Sequence, residues 1–147
     1  MDHKPRILFF STGDSTRSQM AEGFARRVAG NELIAVSTAV LSVESDPLAE
    51  EVMSEVGVDI STQRPKDVAE SLKEHFSYVV TVCDSSKERF PVWPFSRNIV
   101  NWSLIDPEQI SGSTEQKRQV FRTVRDDIRQ RVNELLPKIL SEVRPQS

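Results

Sequence analysis

Reactive side chains are scarce in this chain. Its 147 residues include one cysteine, Cys83, so no intrachain disulfide can exist. A domain of this length buries enough surface to fold without a disulfide or a metal. The only histidines are His3 and His75, and neither lies in a catalytic motif. No apolar run approaches the ~20 residues needed to cross a bilayer. The N-terminal MDHKPR leads into only a short apolar stretch, so no signal peptide is expected. Charge of one sign is not in excess. Nineteen basic and 22 acidic residues give a net charge of −3. That balance argues against nonspecific nucleic-acid binding and against an electrostatic membrane anchor. There is no Walker lysine and no GxGxxG, so those nucleotide-binding devices are unsupported. No cofactor and no metal are expected. With a single cysteine and no leader, the expected location is the cytoplasm.

What is present is an alternation of strand-like and helix-like segments. Residues 6–10 (RILFF) and 78–83 (YVVTVC) are continuous apolar runs, as expected of strands buried on both faces. Residues 33–39 (LIAVSTA) and 97–102 (RNIVNW) read as two more strands. Between them, Met20, Phe24 and Val28 recur at helical spacing and stop at Gly30-Asn31. Asp46-Pro47 is a helix start, with Leu48, Val52 and Val56 on the buried side and Gly57 as the end. Residues 68–74 suggest a short helix. Ser113 and Gln116 have capping-box spacing, opening a long helix with Val120, Val124, Ile128, Val132 and Leu136. Pro137 is expected to end or kink it. The reading is one α/β domain over residues 1–147, a four-stranded parallel sheet with helices on both faces.

In such sheets ligands gather at the carboxyl ends of strands. Residues 11–18 (STGDSTRS) are there, between a strand and a helix. Small residues allow backbone N–H groups to converge on an anion, and Arg17 offers a planar fork for a tetrahedral oxyanion. On composition alone, an ordinary turn capped by Ser15 or Thr16 accounts for the segment equally well.

The segment ILFFSTGDSTRSQMAEGFAR resembles the phosphate loop of the low-molecular-weight protein tyrosine phosphatase superfamily, especially its thioredoxin-coupled arsenate reductases. The similarity continues through GVDISTQRPKDV, YVVTVCDSS, NWSLIDP and VFRTVRDDIRQRV. It implies anion contacts from Thr12, Gly13, Asp14, Ser15, Thr16, Arg17 and Ser18. Ser11 stands where the family has its nucleophilic cysteine. Asp106 stands at the general-acid position and Cys83 at the second redox cysteine. Phe90 occupies the place of the third. Asp14 replaces a loop asparagine, and Thr16 a loop cysteine. A lone Cys→Ser exchange would explain Ser11 but not Asp14, Thr16 and Phe90.

A serine hydroxyl is far less acidic than a thiol and needs a base to act. One cysteine cannot close the disulfide that ends the reductase cycle. The expectation is therefore a catalytically degenerate protein that binds phosphate, sulfate or arsenate, with a phosphoprotein or regulatory protein as a further partner. Two alternatives stand beside it. One is an active reductase or phosphatase in which Ser11 is engineered or an unusual nucleophile. The other is a phosphotyrosine or protein-interaction module. Cys83 reads by itself as a small buried residue, and Trp93 and Trp102 as packing residues.

Overall fold

A computed structural model describes residues 4–41, 46–71, 73–89, 93 and 98–143. Four strands form the sheet: β1 (Arg6–Asp14), β2 (Ile34–Leu41), β3 (Tyr78–Cys83) and β4 (Ile99–Ser103). All pairings are parallel, in the order β2-β1-β3-β4. The helices are α1 (Thr16–Ala29), α2 (Pro47–Glu55), α3 (Val68–Ser71) and α4 (Thr114–Val143), with a 3₁₀ turn at Pro107–Gln109.

The apolar run at the start of β1 has its cause in two-sided burial. Ile7 and Phe9 face one layer, where they meet Met20 and Phe24 of α1, Val52 and Met53 of α2, and Phe121, Val124 and Ile128 of α4. Leu8 and Phe10 face the other layer, with Val36, Val79, Phe76 and Trp93. Helices therefore cover both faces, the second more thinly, through α3 and its flanking segments. Both tryptophans pack as expected. Trp93 meets Phe10 edge-on at 5.2 Å, and Trp102 lies 6.0 Å from Phe9.

The helix boundaries follow their local chemistry. Asp46 Oδ1 accepts the Leu48 N–H at 2.8 Å, opening α2 with Pro47 in the first turn. Gly57 follows α2 with φ of 78°, a conformation that a side chain would resist. Ser113 and Gln116 form the reciprocal capping box, Ser113 N–H to Gln116 Oε1 and Gln116 N–H to Ser113 Oγ.

Several expectations are corrected. Pro137 does not end α4, which runs on to Val143. Pro137 and Asn133, four residues back, lie on the exposed side of the helix, while Leu136 and Ile139 anchor the buried stripe. The short helix at 68–74 shrinks to one turn, Val68–Ser71. The second strand is Ile34–Leu41 rather than 33–39, and the fourth is Ile99–Ser103. Arg97 and Phe90 lie outside the described residues. β1 does not stop at Phe10. It continues to Asp14 with a register irregularity between Ser11 and Asp14, and α1 begins at Thr16. The expected loop of residues 11–18 is thus a bulged strand end followed directly by a helix, because Ser11 still pairs with Ala39 and Val82 on its two sides.

The chain passes from β1 to β2 on one side and then to β3 on the other. The carboxyl ends of β1 and β3 therefore border the point where the winding reverses, the crevice where such sheets take ligands.

Candidate active site

The strand end carries Ser11, whose side chain is buried. Its Oγ accepts the Ser18 N–H at 2.9 Å, so the hydroxyl oxygen already faces the first turn of α1. The Ser18 hydroxyl donates to the Ser15 carbonyl at 2.9 Å. Ser15 Oγ accepts from the Gln19 side-chain amide at 2.8 Å. Gln63 in turn donates to the Gln19 carbonyl at 2.9 Å, tying this turn to the segment after α2. Ser15 occupies the N-cap position but makes no side-chain cap. The cap comes one residue earlier, from Asp14 Oδ1 accepting the Thr16 N–H at 3.0 Å.

Arg17 is the largest fully buried side chain among the described residues, 1% exposed. Nη1 donates to the Leu104 carbonyl at 2.8 Å, and Leu104 is itself held by its N–H to the Cys83 carbonyl. Nη2 stands 3.9 Å from Asp106 Oδ2, beyond hydrogen-bond reach. Nε is buried and has no hydrogen-bond partner among the described residues. One arm of the guanidinium is thus anchored, while Nε and Nη2 retain donors for a bidentate acceptor. Leaving such a donor dry is costly, so its natural complement is an anion.

Asp106 caps the 3₁₀ turn, its Oδ1 accepting the Glu108 N–H at 3.0 Å. Its Oδ2 hangs over the strand end. A Cβ on Gly13 would sit 3.1 Å from that oxygen and 3.5 Å from Arg17 Nη2. Glycine is therefore what lets the strand pass beneath the pair. Glu108, which sequence reasoning did not single out, accepts from the Thr16 hydroxyl at 2.9 Å. One carboxylate oxygen each from Asp14, Asp106 and Glu108 lie within 4.8 Å of one another. Burial pushes the Asp14 carboxyl up. Nearby Asp106 adds to that, while the Thr16 hydrogen bonds and Arg17 oppose it. Burial also raises Asp106, against the pull of Arg17 and Lys87.

Cys83 ends β3, buried, with Sγ 3.6 Å from the Glu88 carbonyl. Burial and the Glu88 charge push its thiol up, and the Thr12 hydroxyl and Arg17 pull it down only in part. That is the setting of a packed thiol rather than an activated one. Of the histidines, His75 precedes Phe76 at the amino end of β3, where Ser77 N–H meets the Arg6 carbonyl. It is thus at the opposite end of the strands from Ser11. His3 lies outside the described residues. The structure brings Ser11, Asp14, Thr16, Arg17, Ser18 and Asp106 together, and adds Leu104, Gln19, Gln63 and Glu108.

Residues 6–145 match the family described as low molecular weight phosphotyrosine protein phosphatase. An arsenate reductase of Halalkalibacterium halodurans is 36% identical over 130 residues, covering 88% of this chain and 94% of that one. A glutaredoxin arsenate reductase of Synechocystis is 32% identical over 134 residues, covering 91% and 98%. Among solved structures, an arsenate reductase in the phosphate binding state superposes with a TM-score of 0.77 at 32% identity, covering 92% of this chain and 98% of that one.

Proposed function

The chain belongs to the low molecular weight phosphotyrosine protein phosphatase family, and from that premise we infer that it binds a tetrahedral oxyanion, phosphate or arsenate, at residues 11–18 without turning it over. The observation that carries the binding half is Arg17. Its guanidinium is buried and fixed through Nη1, and Nε lacks a partner. A solved arsenate reductase 32% identical to this chain is in a phosphate binding state, which supports oxyanion binding here.

The catalytic half rests on Ser11. A thiol beside a helix N-terminus and an arginine ionises readily, and an alcohol does not. Activation of Ser11 requires a base on Oγ, and that oxygen accepts a hydrogen bond from the Ser18 N–H. Loss of a nucleophile costs on the order of 10⁶ in kcat in enzymes where it has been measured. Reduction needs a further element. Its two electrons come from a pair of thiols that ends as a disulfide, and Cys83 is the single sulfhydryl in the chain. A glutaredoxin or thioredoxin would find no intramolecular disulfide to reduce.

Ser11, Arg17 and Asp106 hold the nucleophile, anion and general-acid positions. Thr12, Gly13, Asp14, Ser15, Thr16 and Ser18 form the cradle. Purified protein should show neither aryl-phosphate hydrolysis above the level of Ser11→Ala nor arsenate reduction coupled to thioredoxin or glutaredoxin. Turnover that disappears in Ser11→Ala would replace this reading with that of an active serine-dependent enzyme.

A further inference from the structure

The cradle is lined by acceptors as well as donors. Asp14 Oδ1 takes the Thr16 N–H, one of the donors at the start of α1. Asp106 Oδ2 stands 3.9 Å from Arg17 Nη2 and close above Gly13. The carboxylate oxygens of Asp14, Asp106 and Glu108 converge within 4.8 Å. An anion seated on Arg17 Nε and Nη2 meets these oxygens on its outer side. Sulfate, fully ionised, offers them only lone pairs and charge. Phosphate and arsenate offer an O–H, which a carboxylate accepts as a short, charge-assisted hydrogen bond, and their monoanions bring one negative charge fewer to the three carboxylates than their dianions do. We propose that Asp14, with Asp106 beside it, makes this site selective for the hydroxyl-bearing monoanion of phosphate or arsenate and against sulfate.

The inference rests on the anion-binding reading of the same site. It adds the protonation state of the ligand and the residue that reads it. The carboxylates do not carry it alone. The unpartnered Nε belongs to a side chain 2% exposed and is an independent demand for an anion. The charges facing Asp14 are Arg17 of α1 and Asp106, with Glu108 reached through Thr16, and those facing Asp106 are Arg17 and Lys87. Two cations do not neutralise three carboxylates, so a second negative charge on the ligand is opposed.

The test is calorimetric titration of inorganic phosphate and of sulfate into the full chain and into Asp14→Asn, at about pH 6 and about pH 8, which bracket loss of the second phosphate proton. Asparagine keeps a carbonyl oxygen for the Thr16 N–H and removes the charge. The unmodified chain should bind phosphate severalfold tighter at the lower pH, following the fraction of monoanion, and sulfate at least about tenfold more weakly than phosphate there. In Asp14→Asn sulfate should gain about tenfold, and the phosphate pH dependence should shrink. Equal affinity of the unmodified chain for phosphate and sulfate at the lower pH overturns the selectivity and leaves the anion site standing. An identical change for both anions in Asp14→Asn does the same. Absence of any anion binding, in both proteins and at both pH values, overturns the site itself and the selectivity with it.

Discussion

Replacing Ser11 by cysteine puts the family's nucleophile into a site that has changed around it, and the structure fixes what should follow. Position 11 is anchored in the sheet between Ala39 and Val82, so the new sulfur should occupy the place of Oγ and face the Ser18 N–H. The α1 N-terminus and Arg17 favour the thiolate, whereas burial and the Asp14 and Asp106 charges oppose it. An ordinary thiol has a pKa of ~8.5, and favourable sites bring it to ~3.5–7.5. A value near 7 would make about half the protein thiolate at neutral pH, against about 3% for an unshifted thiol, roughly a 15-fold gain in the reactive form. Asp14 also repels the incoming phosphoryl group. One like-charge contact at ~4 Å costs ~1 kcal/mol in water and ~4 kcal/mol at intermediate screening, so about fivefold to 10³-fold in rate. Ser11→Cys should therefore hydrolyse an aryl phosphate measurably but weakly. Ser11→Cys with Asp14→Asn should exceed it by about tenfold or more. Initial rates of p-nitrophenyl phosphate hydrolysis, with alkylation rates at position 11 against pH, measure both quantities. An alkylation pKa at or above that of a free thiol, together with no hydrolysis in the double variant, would refute the reasoning that the loop retains a working anion cradle.

Other outcomes follow from the same geometry. The folded state raises the Asp14 pKa above its unfolded value of 3.8, so its contribution to stability is full below that value and is lost as pH rises through the folded pKa. Asp14→Asn should accordingly be more stable than the unmodified protein at neutral pH, by less than about 1 kcal/mol for a half-buried group partly screened by solvent. The gap should close in denaturant titrations below about pH 4. Gly13→Ala should press on Asp106 Oδ2 at 3.1 Å, costing about 1 kcal/mol in denaturant unfolding and weakening phosphate binding in calorimetry. Ser11→Cys alone should not sustain thioredoxin-coupled arsenate reduction, followed as NADPH consumption over many turnovers, because a second resolving cysteine is still missing.

The fold was legible because its determinants are local. RILFF and YVVTVC are buried on both faces and look it, and Asp46-Pro47, Gly57 and the Ser113–Gln116 pair act within a few residues of themselves. The site was legible in its residues but not in its arrangement. Polar spacing made residues 11–18 a loop, whereas pairing of Ser11 with both neighbouring strands holds that stretch extended. No local signal distinguishes Asp14 from Ser15 as the residue that satisfies Thr16, and Glu108 reaches Thr16 only because the fold brings the 3₁₀ turn over α1. Pro137 should break a helix by propensity. Its position on the exposed side of α4 is a tertiary fact that the residue type does not disclose.

The central claim is that Arg17 still holds an oxyanion in a chain that has lost the chemistry to transform it. Calorimetric titration of phosphate at about pH 6, into the unmodified protein and into Arg17→Lys, with hydrolysis of an aryl phosphate assayed on the same samples, tests it most directly. Lysine keeps the charge and loses the bidentate fork, two charge-assisted hydrogen bonds worth ~1.5–3 kcal/mol each. The account predicts saturable phosphate binding by the unmodified protein, at least about a hundredfold weaker in Arg17→Lys, and no hydrolysis in either. Equal affinity in the two proteins, or steady hydrolysis by the unmodified one, would contradict it.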